Sequence, residues 1–352
     1  MLVKLADNYP HGAFAFVMAT GIVSIAAASL GHGRIAAILL AINVIAFALL
    51  WLWMLLPLTF HPLRFLLDAT DFRRGPSALT IVAGTSVLGE QISLLTSHHK
   101  IAAVLWLGAS ALWVGLIYCG FAQATVGVLK PRLRAGLDGS WLLAVVAPQS
   151  LATLGIRVAD VFPAPEAVIF ASLCLFLLGG IFYFIIITLI FCRWLFEPMT
   201  PEELTPSYWI NMGAAAITTL AGAQLAVAAD LYPLLAGLRG FIVGGTVLFW
   251  ALASWWIPLL IVVMTWRHAI GRVKLSYELE YWSMVFPLGM YTAATSSFAQ
   301  AVVADFLNVI PRVFLWVAVA AWCVVFVAMM TRLPRLLGVV NARARHRDGD
   351  KL

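Results

Sequence analysis

The chain has 352 residues, 63% of them hydrophobic and 11% charged, with a mean hydropathy of +0.97. A soluble domain carries about 25% charged residues, so this composition excludes a folded surface facing water and points to a bilayer. The net charge of +6 lies in short loops between apolar runs, which makes it a topology signal and not the basic face of a nucleic-acid binder.

In chain order, apolar runs long enough to cross about 30 Å of hydrocarbon are expected at 12–30, 35–57, 77–96, 101–126, 141–159, 166–192, 208–228, 234–267, 280–304 and 311–333. The first run ends in small residues, as a signal peptide does. Its flank carries Lys4 against Asp7 and a second run follows almost at once, so it reads as a retained helix. "HPLRFLLDATDFRRG" (61–75) suits a short interfacial helix, with Leu and Phe in lipid and Arg64, Arg73 and Arg74 at headgroups. "SHHK" (97–100) reads as a polar loop, since adjacent histidines share no face and no Cys or acid adjoins them. Cys119, Cys174, Cys192 and Cys323 form no CxxC pair and read as small buried apolar residues. The fold class is thus all-α integral membrane, with ten transmembrane helices in one domain, 1–335, and a basic tail, 336–352.

One set of loops carries Arg34, Lys100, Arg157, Arg239 and Arg312, a single cation each; the other set and the tail carry the remaining 17 of the 22 Lys and Arg. The positive-inside rule then places both termini in the cytoplasm.

The odd-numbered spans share a pattern: "FVMATGIVSIAA", "TIVAGTSVLGEQ", "LAVVAPQSLATLG", "WINMGAAAITTLAG" and "SMVFPLGMYTAAT". Aligned on Thr20, Gly84, Pro148, Gly213 and Pro287, they are offset by 64, 64, 65 and 74 residues. A near-constant period implies repeated units, here five helical hairpins. Small residues let helices approach closely, so the odd spans are expected inside. The even spans are rich in Leu, Ile, Phe and Trp and are expected to face lipid, with Trp51, Trp53, Trp194 and Trp266 near the interfaces. Five inner helices would form a ring around a central pore, with Pro148 and Pro287 breaking two of them at one depth.

Just before the aligned column stand Ala19, Ala83, Ala147, Met212 and Phe286. Small side chains at one level leave room for one large one, so Phe286 can plug the ring, and a hydrophobic constriction blocks ions by dewetting. Thr20, Gly21, Gly84, Gly213 and Gly289 complete the residues expected to shape the path. Filling a core gap is the plain alternative for Phe286.

"FAFVMATGIVS", "YWINMGAAAITTLAGA" and "YWSMVFPLGMYT" resemble the tellurite-resistance/dicarboxylate transporter family. That family includes bacterial tellurite-resistance homologues, fungal malate and sulfite transporters and the plant slow anion channels. The resemblance implies a trimer in the bacterial cytoplasmic membrane, a pore within each subunit and a pore phenylalanine at Phe286. It implies small inorganic anions or C4-dicarboxylates as cargo; from the residues themselves, no cofactor, metal or nucleic-acid partner is expected.

Glu90 is the only carboxylate well inside a span, and intramembrane acids are functional candidates. It reads as a proton-coupling group or as a buried pair with an outer arginine. Gln91, Gln149, Ser150, Asn211, Thr219 and Gln224 can replace water around an anion or bond between helices. Arg157 ends an inner span and is the best placed of the outer cations. No P-loop, dinucleotide fingerprint, zinc-protease or serine-hydrolase motif occurs, so no enzymatic activity is expected. Three readings remain open: an anion channel or permease, a proton-coupled carrier using Glu90, and a non-transporting membrane scaffold.

Overall fold

The computed structural model describes residues 6, 9–128, 130–131 and 136–349, with side chains described as far as Arg332. Lys4, Arg132, Arg134 and the side chains of the basic stretch from Arg335 to Lys351 lie outside the described residues. All regular structure among the described residues is helical.

Two sets of helices alternate along the chain. The inner set is α1 (Ala15–Ser29), α3 (Thr80–Thr96), α5 (Leu143–Val158), α7 (Ile210–Ala228) and α9 (Trp282–Ala301). The outer set is α2 (Gly33–Phe60), α4 (His99–Val126), α6 (Pro165–Phe196), α8 (Arg239–Thr265) and α10 (Val309–Gly349). The backbone of α10 continues through most of the stretch expected to be a separate tail.

Among the described residues, eight helical segments are long and apolar enough to cross a membrane, against the ten expected. The two that fall short are instructive. α1 has 15 residues and spans about 22 Å. α9 has 20 residues, but Ser, Thr, Gly and Pro dilute its hydropathy. A helix that meets only protein has no need of a lipid-grade surface.

Burial separates the two sets. The segments carrying α3, α5 and α7 are 83–89% buried, and the apolar outer segments only 17–44%. α1 and α9 are also buried along most of their length. The outer helices present Ile38, Leu52, Val104, Phe170, Ile181 and Val324 outward. In water that surface would be an aggregation hazard; in lipid it is solvated. Cys119, Cys174 and Cys323 lie on this exposed face and Cys192 is half-buried, which corrects the expectation of buried thiols. A thiol is apolar enough to face lipid.

The inner helices close a ring. α1 packs on α3, α3 on α5, α5 on α7, α7 on α9 and α9 back on α1. Each outer helix packs on the inner helix before it: α2 on α1, α4 on α3, α6 on α5, α8 on α7 and α10 on α9. Pro62–Thr70 forms a short helix with Leu63, Leu66 and Leu67 exposed and Arg74 held at 3.2 Å from Asp68.

α5 and α9 run through Pro148 and Pro287 as continuous helices, which corrects the expected breaks. Each proline is the sixth residue of its helix. It removes only the N–H that would reach the carbonyl of Ala144 or Ser283, close to a start where donors and acceptors are already loosely paired.

Candidate functional site

The inner helices begin around one cavity. Short helical turns lead into them: Gly75–Ala78 before α3, Gly139–Leu142 before α5, Pro206–Trp209 before α7 and Leu279–Tyr281 before α9. Asp138 caps one of these turns, accepting a bond from the Ser140 backbone at 2.8 Å. Gly139 is required there, because a Cβ would stand 2.3 Å from the Ser207 carbonyl oxygen. The cavity, about 520 Å³, is bordered by Gly12, Ser77, Ser140, Ser207 and Ser283, one from the start of each inner element.

Helix N-termini carry about half a positive charge each, and five of them share this vestibule. The side chains around it are mixed. Arg64, Arg73 and Arg74 stand against Asp68, Asp138, Glu278 and Glu280, so the standing positive field comes mainly from the helix ends. Burial lowers the His11 pKa, Asp68 opposes that and Arg74 adds to it. Burial raises the Glu280 pKa, Asp138 and Glu278 add to the rise, and Thr205 and Arg267 counter it.

Two buried arginines frame this end. Arg193 donates to the Leu137 carbonyl and, at 2.7 Å, to the Tyr208 hydroxyl. Arg267 reaches the carbonyls of Pro201, Glu202 and Leu204 at 3.2, 3.1 and 3.0 Å. In the sequence both looked like ordinary loop cations. Their neutral partners are loop carbonyls and, for Arg193, the Tyr208 hydroxyl, which no residue pattern announces.

Beyond the vestibule lies the aligned column. Thr20, Gly84, Pro148, Gly213 and Pro287 are the fourth to sixth residues of their helices, roughly 5–8 Å past the helix starts. Most of them form the joints of the ring. A Cβ on Gly21 would meet Val87 at 2.7 Å, one on Gly84 the Phe14 carbonyl at 3.1 Å, one on Gly213 the Pro287 ring at 2.7 Å and one on Gly289 Ile22 and Val23 at 3.0 Å. The Thr20 hydroxyl turns outward and accepts from Trp322 Nε1 at 3.0 Å.

Phe286 is set by its neighbours on α9. Pro287 faces Gly213 on α7, and Gly289 faces Ile22 and Val23 on α1. Tyr291 and Thr295 bond outward to Ser254 and Trp250 of α8 at 2.7 and 3.1 Å. At about 100° per residue, Phe286 lies between the α1 and α7 directions and opposite the α8 contacts, so it faces the interior of the ring. Its Cε1 would be 3.3 Å from a Cβ on Gly213. Phe286, Ala19, Ala83, Ala147 and Met212 are all fully buried. No water-sized space touches this level, and the ring is shut there. Gly213 of α7 lies against Phe286.

The polar candidates separate into two groups. Gln91 accepts from Asn43 of α2 at 2.8 Å, Gln149 donates to the Phe176 carbonyl of α6 at 2.9 Å, Ser150 bonds the Ala147 carbonyl at 2.7 Å and Thr219 the Ala215 carbonyl at 2.9 Å. These bonds run between or along helices. The Asn211 side chain is fully buried with neither amide atom partnered. Glu90 behaves differently. Gln224 Nε2 donates to Glu90 Oε1 at 2.8 Å, and Arg157 Nη2 stands 3.5 Å from the same oxygen. Glu90 is on α3, Arg157 on α5 and Gln224 on α7. α3 and α7 are separated in the ring by α5, so the Glu90–Gln224 bond crosses the interior. At the C-terminal end of α3, His99 pairs with Ser93 at 2.7 Å.

Residues 8–330 match the voltage-dependent anion channel (SLAC1) family. An uncharacterized membrane protein of Mycobacterium tuberculosis is 40% identical over 162 residues, covering 46% of this chain and 81% of the relative. A sulfite efflux pump of Arthroderma benhamiae is 24% identical over 349 residues, covering 91% of this chain and 89% of the relative. An uncharacterized transporter of Methanocaldococcus jannaschii is 22% identical over 155 residues, 44% of each chain. With its lipid-compatible outer helices and closed inner ring, this chain is an integral membrane protein that belongs to the voltage-dependent anion channel family.

Proposed function

We propose that the protein passes small anions through the interior of its five-helix ring, with Phe286 as the closing residue. The observation that carries this is the succession along one axis: five helix N-termini around a 520 Å³ vestibule, then a fully buried phenylalanine facing inward. Helix N-termini favour anions without needing a compensating side-chain charge. The apolar level behind them excludes a hydrated ion until Phe286 moves.

The full topology belongs to this proposal. All ten long helices cross the membrane as five repeated hairpins, and both termini are cytoplasmic. The vestibule is then the cytoplasmic mouth, and the subunits assemble as trimers in a bacterial cytoplasmic membrane. Candidate cargoes are chloride, nitrate, sulfite and C4-dicarboxylates such as malate; the similarity to a protein named a sulfite efflux pump supports testing sulfite early.

Two rivals stay testable. A proton-coupled carrier would use Glu90, and flux that persists without a pH gradient counts against it. A non-transporting scaffold accounts for the packed interior at Phe286. The test is anion efflux from proteoliposomes loaded in turn with chloride, nitrate, sulfite or malate, comparing wild type with Phe286→Ala. Efflux that rises strongly in the variant for at least one anion supports the proposal. Equal, background-level efflux for all of them favours the scaffold.

A further inference from the structure

The path proposed above has a second polar feature, at the end of the ring away from the vestibule. Glu90 is 2% exposed and makes the bond that crosses the interior from α3 to α7. The groups that hold its carboxylate are an amide N–H and a guanidinium. Those are the donors that would hold any carboxylate or planar oxyanion at that point.

The fit of Glu90 to these donors is incomplete. Arg157 Nη2 is 3.5 Å from Oε1, whereas a charge-assisted N–H···O bond settles near about 2.8 Å. Arg157 Nε is buried and has no partner. The Nε and Nη2 edge of a guanidinium is a fork suited to two oxygens of one anion, and Glu90 uses only one prong. Gln224 Oε1 is likewise buried without a partner, so only the Nε2 bond to Glu90 holds its amide in place.

We infer that Arg157 and Gln224 form a binding site for a planar oxyanion or carboxylate within the ring, and that the Glu90 carboxylate occupies this site as an internal ligand. An anion arriving there competes with Glu90 for the guanidinium fork. When Glu90 holds the site, its bond to Gln224 ties α3 to α7 across the path. When the anion holds it, that tie is released. Glu90 is then a selective occupant of an anion site and not an isolated repulsive charge. The role of the site in passage rests on the anion-path reading; its existence as a binding site does not.

The test therefore measures binding and not conduction. Purified protein in detergent is titrated with sodium nitrate by calorimetry, and its thermal unfolding is followed with and without nitrate. Wild type, Glu90→Gln, and Glu90→Gln combined with Arg157→Gln are compared, with Glu90→Ala in place of Glu90→Gln if the latter is not monodisperse. Removing the internal ligand is expected to tighten nitrate binding by tenfold or more. It should also make unfolding visibly nitrate-dependent, as expected for a ligand that binds only the folded state. Adding Arg157→Gln is expected to abolish both effects. Equal nitrate affinity in wild type and Glu90→Gln overturns the inference. So does a gain that survives the loss of Arg157. A protein that binds nitrate in this pattern yet passes no anion would refute the proposed function while leaving this site standing.

Discussion

Gly213→Ala probes the joint on which the closed state depends. The added Cβ would lie 2.7 Å from the Pro287 ring and 3.3 Å from Phe286 Cε1. Ordinary carbon contacts begin at about 3.5 Å, so α7 and α9 must part by several tenths of an ångström, or Phe286 must turn. Overpacking of this kind costs about 1–3 kcal/mol. Against it, replacing a helical glycine by alanine contributes about 1 kcal/mol. The net effect is a loss of roughly 0–2 kcal/mol. Gly108 on α4 supplies the control, because a Cβ there meets nothing within 4 Å, and Gly108→Ala keeps the helix gain alone. Unfolding in detergent should therefore place Gly213→Ala below Gly108→Ala by about 1–3 kcal/mol. Because the displaced neighbours are Pro287 and the adjoining Phe286, Gly213→Ala should also leak anions from proteoliposomes while Gly108→Ala stays silent. Identical stability and identical silence in the two variants would refute the reasoning that packing at Gly213 holds Phe286 closed.

Arg193→Met removes two hydrogen bonds from a buried guanidinium and should cost about 3 kcal/mol, read as an earlier unfolding transition; Tyr208→Phe, which keeps the carbonyl bond, should cost less. Glu280 has a raised pKa, so the folded protein holds its proton to higher pH than the unfolded chain does. Its contribution to stability is present below the usual carboxyl value of 4.5 and is lost as pH rises through the raised value. Glu280→Gln should therefore melt higher than wild type near neutral pH, with the gap closing as pH falls toward 4.5. Trp322→Phe deletes the 3.0 Å bond to the Thr20 hydroxyl and should lower stability by about 1 kcal/mol without opening the path, measured by melting and efflux side by side.

The layering of the molecule was legible because lipid removes the usual polar-versus-apolar contrast and replaces it with another. Spans rich in Gly, Ala and Ser pack inside, and spans rich in Leu, Phe and Trp face out. Thr20, Gly84, Pro148, Gly213 and Pro287, aligned by pattern alone, are the fourth to sixth residues of their helices. Rotation was not. α9 is buried on nearly every side, and a helix with no exposed face offers no periodicity by which to orient Phe286. The same limit hid the division among the polar residues. Gln91 and Gln149 bond outward to α2 and α6 while Glu90 and Gln224 meet inside, and nothing in residue type distinguishes them. An outer arginine as partner was one of the two readings of Glu90, and Arg157 stands 3.5 Å from it. Arg193 and Arg267 were read only as charges, because their partners are loop carbonyls and one tyrosine hydroxyl.

The most direct test of an anion path closed at Phe286 is current across a planar bilayer holding purified protein, wild type beside Phe286→Ala, in a salt gradient. The account predicts a nearly silent wild type, and in the variant a large ohmic current whose reversal potential follows the anion gradient. Silence in both proteins, or a variant current that follows the cation gradient, would contradict it.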